Sequence, residues 1–535
     1  MPFRRFRLPF DSAHLIWGLL GVVLVLLVAP MLGYSLTSDD DVAVSFIRIR
    51  DGGIVAAAWK YATITGRFYQ VWAVSLTQLA FVADSFTVTA VLRLLSMLFP
   101  VVTSLEMLRR LGVTTALRQS YLLLLLVLIY LGDPYNPYHA YPLWFSIGIG
   151  LVFVSVGWFA QDRVISSATC FFIANCFYES MVTYLPAFCL VAWAKRKPVR
   201  TLWPILFVTF SYLGLLFGFR RVYPPQYRGV IMNLGTAHDM VRTVERISLK
   251  AWRTGNWDIG YGLHEFFSEP TIYFGMPLLA GILIAFAAFR LSGLRMGTRS
   301  WRWGAAAVPF VFLPNFPYAL VEYYRELIAR LGSSYYIGTY FSSFALALVF
   351  TGVFGLVVEL LSRLPAGMQI LGRTTLALVL GVVAFHSFCH HYSLHEERWA
   401  TRRIFDLISD ALVDPEIHSQ LATATLIVSP DLAGISALTI PPEYDYWSYF
   451  FRRRLPGSKV TVKPLAAGRD GAYGLIVDSA QLAFTRVDFR GEIPAHSEVR
   501  AFVASGRRSL AWQTGDKVMT LGGFKRWVTE RTEPK

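Results

Sequence analysis

Long apolar runs alternate along the chain with short basic turns, and a few longer polar stretches interrupt that rhythm. Leu15 to Tyr34 and Thr374 to Phe388 carry almost no charge, as a helix crossing the ~30 Å hydrocarbon core of a bilayer requires. Hydropathy predicts about eleven spans, near residues 14–34, 84–107, 119–132, 142–160, 164–178, 180–194, 202–219, 271–290, 303–322, 338–361 and 373–390. The segments 164–178 and 180–194 are short and fit a hairpin that stops within the membrane.

Arg4, Arg5 and Arg7 precede the first apolar run, and no small-x-small cleavage site follows it. The N-terminus therefore reads as an uncleaved signal anchor that starts in the cytoplasm. Basic residues then recur in alternate loops. Arg109, Arg110 and Arg118 come first, then Arg163, then Lys195, Arg196, Lys197 and Arg200. Arg290, Arg295, Arg299 and Arg302 follow, and last Arg363 and Arg373. By the positive-inside rule these loops face the cytoplasm. An odd number of spans places the C-terminus outside, in the periplasm of a bacterial inner-membrane protein.

The expected fold is thus an α-helical polytopic membrane protein with a C-terminal α/β extracytoplasmic domain. Its transmembrane part covers 1–390, with extracytoplasmic loops at 35–83 and 220–270, and the periplasmic part covers 391–535. In that tail YSLHEERWATRRIFDLISDAL has helical period, whereas TATLIVSP, SKVTVKPL, YGLIVDS and EVRAFVAS read as short strands.

Composition agrees with a membrane class. Of 535 residues 55% are hydrophobic and 16% charged, against about 25% charged in soluble domains, and mean hydropathy is +0.46. The net charge of +15 sits largely in the short loops and no nucleic-acid motif accompanies it, so nucleic acid is not an expected partner. Cys170, Cys176, Cys189 and Cys389 all fall in apolar segments, which points to free thiols rather than a disulfide framework.

Candidate chemistry begins just after the first span. Asp39, Asp40 and Asp41 stand together, with Arg67 downstream in TITGRFYQ. Carboxylates held close raise the pKa of at least one of them, which suits a general base or a divalent-cation site. The same residues would also serve as a solvated acidic turn capping a helix. Further on, ANCFYESMVTYLP places Tyr178 and Glu179 at the tip of the short hairpin, where an ionisable group inside apolar sequence is a functional candidate. GDPYNPYHAYP carries His139 among tyrosines that suit either sugar stacking or an interfacial aromatic belt.

Arg220 and Arg221 open the 220–270 loop, and DMVRTVERISLKAW continues it as an amphipathic helix with a cationic stripe. The two arginines could hold a phosphate or anchor to anionic lipid. Tyr324 and Arg325, after Tyr323, form a second phosphate candidate. HSFCHHYSLH groups four histidines at helical spacing, but at a membrane exit amphipathic rings are common and no metal is assigned there.

A cytoplasmic N-terminus, one span, an immediate Asp-Asp and then an amphipathic, aromatic-bearing loop that ends in Gly-Arg resembles the GT-C class of membrane glycosyltransferases. Within it, the pattern is similar to the O-antigen glucosyltransferase-like branch. Ser38, Asp39 and Asp40 fall on the Ser-Asp-Asp pattern, and Gly66 and Arg67 on Gly-Arg; Asp41 is a departure, since an aromatic or apolar residue is usual there. The resemblance implies a polyprenyl-phosphate sugar as donor and a hydroxyl of a cell-envelope glycan or lipid-linked molecule as acceptor. It also implies that Asp40, or Asp39, is the general base. A transporter or flippase of a lipid-linked glycan is the alternative, but the acids cluster at a surface and no internal repeat is visible. A membrane acyltransferase is the third option, without a His-Asp pair inside a span to support it.

Overall fold

The computed structural model describes residues 12–29, 53–82, 86–129, 138, 141–250, 275–294, 296, 300–331, 337–411, 415, 418, 427–429, 455, 457–464, 473–477, 482–486 and 500–502. Contacts divide the chain into two units. The first comprises 1–32, 58–80 and 87–392; the second comprises 33–57, 81–86 and 393–535.

Helices build the first unit. They are α1 (Ser12–Val28), α2 (Ile54–Thr65, whose first turn belongs to the second unit), α3 (Gln70–Val82), α4 (Phe86–Arg110), α5 (Thr115–Leu128), α6 (Trp144–Ala160) and α7 (Val164–Asn175). A 3-10 turn over Glu179–Tyr184 leads into α8 (Leu185–Ala194), then α9 (Trp203–Val222), α10 (Ala237–Glu245) and α11 (Gly275–Ser292). After these come α12 (Trp301–Phe312), α13 (Phe316–Ala319), α14 (Glu322–Leu331), α15 (Ile337–Ser362) and α16 (Ala366–Ala411).

Among the described residues five helices are long and apolar enough to cross a membrane, and five shorter apolar helices accompany them. The outward faces are greasy: α9 presents Phe207, Phe210 and Phe217, and α16 presents Ile370, Leu371 and Leu378. Contiguous exposed apolar surface on this scale is not compatible with water. Taken with helix length, it makes this unit a multi-pass membrane bundle.

The core lies around α5, whose stretch Tyr121–Leu128 is buried throughout and which packs against α1, α11 and α15. Two devices bring other helices close. Ser155 and Ser167 exchange hydroxyl–carbonyl hydrogen bonds of 2.7 and 2.8 Å between α6 and α7, a buried polar link between apolar surfaces. Gly304 of α12 meets Gly352 of α15 so closely that a Cβ on Gly304 would lie 2.9 Å from the Val349 carbonyl oxygen.

Two expected boundaries change. The span expected at 303–322 is interrupted: α12 ends at Phe312, a 3-10 turn covers Leu313–Asn315, and α13 stops at Ala319. Pro314 and Pro317 each remove a backbone donor at the break and stand at the starts of the short elements that follow it, whereas Pro309 is accommodated inside α12. The span expected at 373–390 is part of the 46-residue α16, because no Gly or Pro follows Gly381 to end the helix before Ala411. Tyr392 closes the first unit and Ser393 resumes the second, both within that helix.

Among the described residues of the second unit five short strands form one sheet in the order β2-β1-β3-β4-β5. They are β1 (Ile427–Ser429), β2 (Val462–Pro464), β3 (Tyr473–Val477), β4 (Leu482–Arg486) and β5 (Arg500–Phe502). β1 runs parallel to β2 and β3, and β3, β4 and β5 are antiparallel in turn. Strand β4, with Leu475 opposite Phe484, is absent from the expected set; its sequence LAFTR is too short for alternation to stand out.

Candidate functional site

Helices α7 and α9 both start beside the basic turns and end at the opposite side of the bundle, where the turn between α2 and α3 meets them. Gly66 makes that turn. It closes α2 in the left-handed region, φ +65°, with the Arg67 N–H donating to the Ala62 carbonyl at 2.9 Å and the Gly66 N–H to that of Thr63 at 3.3 Å. This is a Schellman closure, which favours glycine at its left-handed position. Space demands glycine as well: a Cβ there would stand 3.0 Å from Arg220 Cγ and 3.2 Å from the Tyr223 carbonyl oxygen.

The turn sends Arg67 inward, where its Nη2 donates to Glu179 Oε1. The two side chains are only 11% and 17% exposed, so the pair sits largely out of water. Burial alone would weaken the guanidinium's hold on its proton. The Glu179 carboxylate, helped by Tyr178 and Tyr324, outweighs burial and raises the Arg67 pKa above its ordinary value. Arg67 is therefore a permanent cation. Its Nε, and Glu179 Oε2, make no hydrogen bond within the described residues.

Glu179 reaches this position because the chain leaves α7 at Asn175 and crosses in extended form through Tyr178, φ −161°. Indole donors fix the crossing on both sides: Trp72 Nε1 binds the Cys176 carbonyl and Trp144 Nε1 that of Phe177, each at 2.7 Å. Tyr178 then lies edge-on to Phe145 at 4.8 Å and stacks on Phe341 at 6.0 Å. Its hydroxyl donates to that of Tyr318 at 2.5 Å, and Tyr318 packs edge-on to Tyr324 at 5.1 Å. Burial, reinforced by Tyr227 and Tyr178, pushes the Tyr324 phenol well above its ordinary pKa and keeps it neutral.

Arg220 lies beside the same turn. Its Nε donates to the Gly66 carbonyl at 3.3 Å. The following segment is tied to α2 by the Gln226 N–H on the Ile64 carbonyl at 2.8 Å. It then pairs with the end of α13 through an antiparallel bridge, Met232 to Val321.

Of the residues singled out from sequence, Arg67, Tyr178, Glu179, Arg220 and Tyr324 converge here. Arg325 takes a different part: its Nη1 bonds the carbonyls of Asn233 at 2.7 Å and Ala319 at 2.8 Å, strapping a loop to α13. Arg221, the next residue of α9, is exposed in its last turn. Asp39, Asp40, Asp41 and His139 lie outside the described residues.

Sequence reasoning missed Tyr318, whose only signal is a phenol among prolines in LPNFPYAL, and the direct pairing of Arg67 with Glu179. Among the described residues no three His, Cys, Asp or Glu side chains converge as a metal site would require. His391 belongs instead to helix packing, its Nε2 lying 3.1 Å from the Ile129 carbonyl oxygen.

No family model and no curated relative matches the chain. A solved structure, ArnT from Cupriavidus metallidurans bound to undecaprenyl phosphate, is similar at 11% identity and a TM-score of 0.34, over 87% of this chain and 93% of that one. At that score the likeness carries no argument about this chain.

Proposed function

We propose that the protein is a GT-C-type glycosyltransferase of the bacterial inner membrane, moving a hexosyl or pentosyl group from a polyprenyl-phosphate donor to an acceptor hydroxyl. The acceptor is a cell-envelope glycan or a lipid-linked molecule on the periplasmic face. The N-terminus is cytoplasmic, and residues 391–535 form a periplasmic α/β domain.

The observation that carries this reading is the buried Arg67–Glu179 pair with Arg220 beside it and a tyrosine cluster behind it, at the end of an apolar bundle. A phosphate leaving group is a weak base and needs cations rather than a proton. Glu179 holds the Arg67 fork in one orientation, and Arg220 supplies a second positive charge, so the site keeps a net cation in a region poor in water. Phenol hydroxyls and ring faces suit the sugar.

Transfer then proceeds by direct displacement. Asp40, with Asp39 as the neighbouring candidate, takes the proton of the acceptor hydroxyl. The acceptor oxygen bonds to the anomeric carbon as the bond from that carbon to the phosphate oxygen breaks. Polyprenyl phosphate leaves and the configuration inverts. Asp41, Tyr178, Tyr324 and His139 contribute to substrate binding, and a divalent cation at the acidic cluster is compatible with this scheme.

The test is turnover by the full-length protein in nanodiscs, offered a panel of polyprenyl-phosphate sugars and scored by release of polyprenyl phosphate. Release that depends on Asp40 and Arg67 is the expected result. No release with any donor, from protein that binds none of them, would overturn the reading.

A further inference from the structure

A groove of about 1500 Å³ runs along α8 in the first unit, between α8, α12 and α15, and meets the surroundings of the Arg67 site at Phe341, which stacks on Tyr178. Its walls are apolar, with Val156, Leu190, Phe310 and Phe344 among them. One end stops at Tyr184; the other ends on Lys195, Arg196, Lys197 and Arg302, and among the described residues no acidic one lines it. The α8 helix that forms one wall has 10 residues. That corresponds to ~15 Å, half of a ~30 Å hydrocarbon core. The groove is therefore one leaflet deep.

The cations at its mouth are unequal. Lys197 is committed, since it pairs with Asp162 and lies over the Phe159 ring at 5.4 Å. Arg196 is held differently. It occupies the left-handed position, φ +51°, of the turn that closes α8, where the Lys197 N–H bonds the Ala192 carbonyl at 2.8 Å. Glycine is the residue that fits this position without strain, so the arginine sits there against backbone preference. Trp193, Trp301 and Trp303 rim the same mouth, at the depth where indoles mark the membrane–water interface.

We infer that this groove is a binding site for a two-chain anionic phospholipid of the leaflet at the basic end of the bundle, with its acyl chains along α8 and its phosphate held by Lys195, Arg196 and Arg302. Charge complementarity and depth select this occupant. A lipid without net charge brings nothing to offset the summed positive charge of Lys195, Arg196 and Arg302, the last of which also lies over the Trp301 ring at 5.7 Å, and a carrier lipid serving the Arg67 site would enter from the other leaflet.

The experiment is native mass spectrometry of the full-length protein in detergent, titrated with phosphatidylglycerol and with phosphatidylcholine of the same chains. Wild type should retain phosphatidylglycerol at least about tenfold more strongly. The combined Lys195→Gln, Arg196→Gly and Arg302→Gln variant should lose that preference yet keep its weak hold on phosphatidylcholine. Glycine suits the backbone at 196, so the variant's melting temperature in lipid-free detergent should not fall. Ala306→Trp, which fills the groove, should lower retention of both lipids.

Equal retention of the two lipids by wild type would overturn the inference, as would undiminished phosphatidylglycerol retention in the triple variant. Insensitivity to Ala306→Trp would place the lipid elsewhere and overturn it too. So would a dimer abolished by Ala306→Trp, which would make the groove a contact with a second copy.

Discussion

Arg67 and Glu179 are 112 residues apart in sequence and share one hydrogen bond in a largely dry pocket. Neither is tolerable there alone. Removing one partner of such a pair typically costs about 3–5 kcal/mol, because the remaining charge is left uncompensated. Arg67→Met should therefore lower the unfolding midpoint in detergent sharply, and Glu179→Met should do the same. The double variant should regain much of the loss while remaining inactive in transfer. A double variant no more stable than either single one would show that the pair is not coupled.

Gly66 is constrained by both backbone and neighbours. Gly66→Ala must adopt φ +65° and push on Arg220, at a cost of about 1–2 kcal/mol. Because the same turn aims Arg67, donor binding should weaken in step with stability. Fluorescence or calorimetric binding of a polyprenyl-phosphate analogue, run beside thermal unfolding, checks both.

Arg220 and Arg221 are neighbours that the fold separates. Arg220→Gln is expected to raise KM for the lipid donor by about tenfold, equivalent to ~1.4 kcal/mol of lost ground-state binding. Arg221→Gln, at an exposed position, should leave KM within twofold. Equal effects from the two variants would remove the leaving-group role from Arg220.

The Tyr178–Tyr318 hydroxyl contact can be tested by a double-mutant cycle. Each Tyr→Phe change should cost about 1 kcal/mol, and the pair should cost less than the sum, since the same hydrogen bond is lost. Full additivity would mean that the hydroxyls act separately.

Asp40→Asn keeps the shape of the side chain and removes the proposed base. Loss of a general base typically reduces turnover by about 10²–10⁴-fold. Transfer by Asp40→Asn should fall in that range with donor binding nearly intact, and Asp39→Asn should lose less. Wild-type rates in both variants would exclude this mechanism.

How much of this was legible depends on the kind of signal. Long uncharged runs such as 337–358 state themselves, because a bilayer imposes one length and one polarity on every span. Tyr178 and Glu179 were visible at the tip of a short apolar hairpin, Arg67 in its Gly-Arg pattern, and Arg220 and Tyr324 at the ends of spans. What one sequence does not contain is their pairing: nothing in TITGRFYQ names Glu179 as its partner. Arg220 and Arg221 look equivalent on paper, and only the helical rotation of about 100° per residue makes one a neighbour of Gly66 and leaves the other outside. The break in the expected 303–322 span was written in Pro314 and Pro317, but hydropathy averages over them.

The contact between Gly304 and Gly352 bears on how the chain enters the membrane. Helix α12 is 12 residues long and carries Pro309, so it is too short to partition into a bilayer by itself. Its glycine packs against α15, which is synthesised later. Helix α12 thus meets its packing partner only once α15 has been made, and the two are expected to settle in the membrane as a pair. A bulky residue at position 304 would then act first as an assembly defect, seen as a chain degraded before it matures.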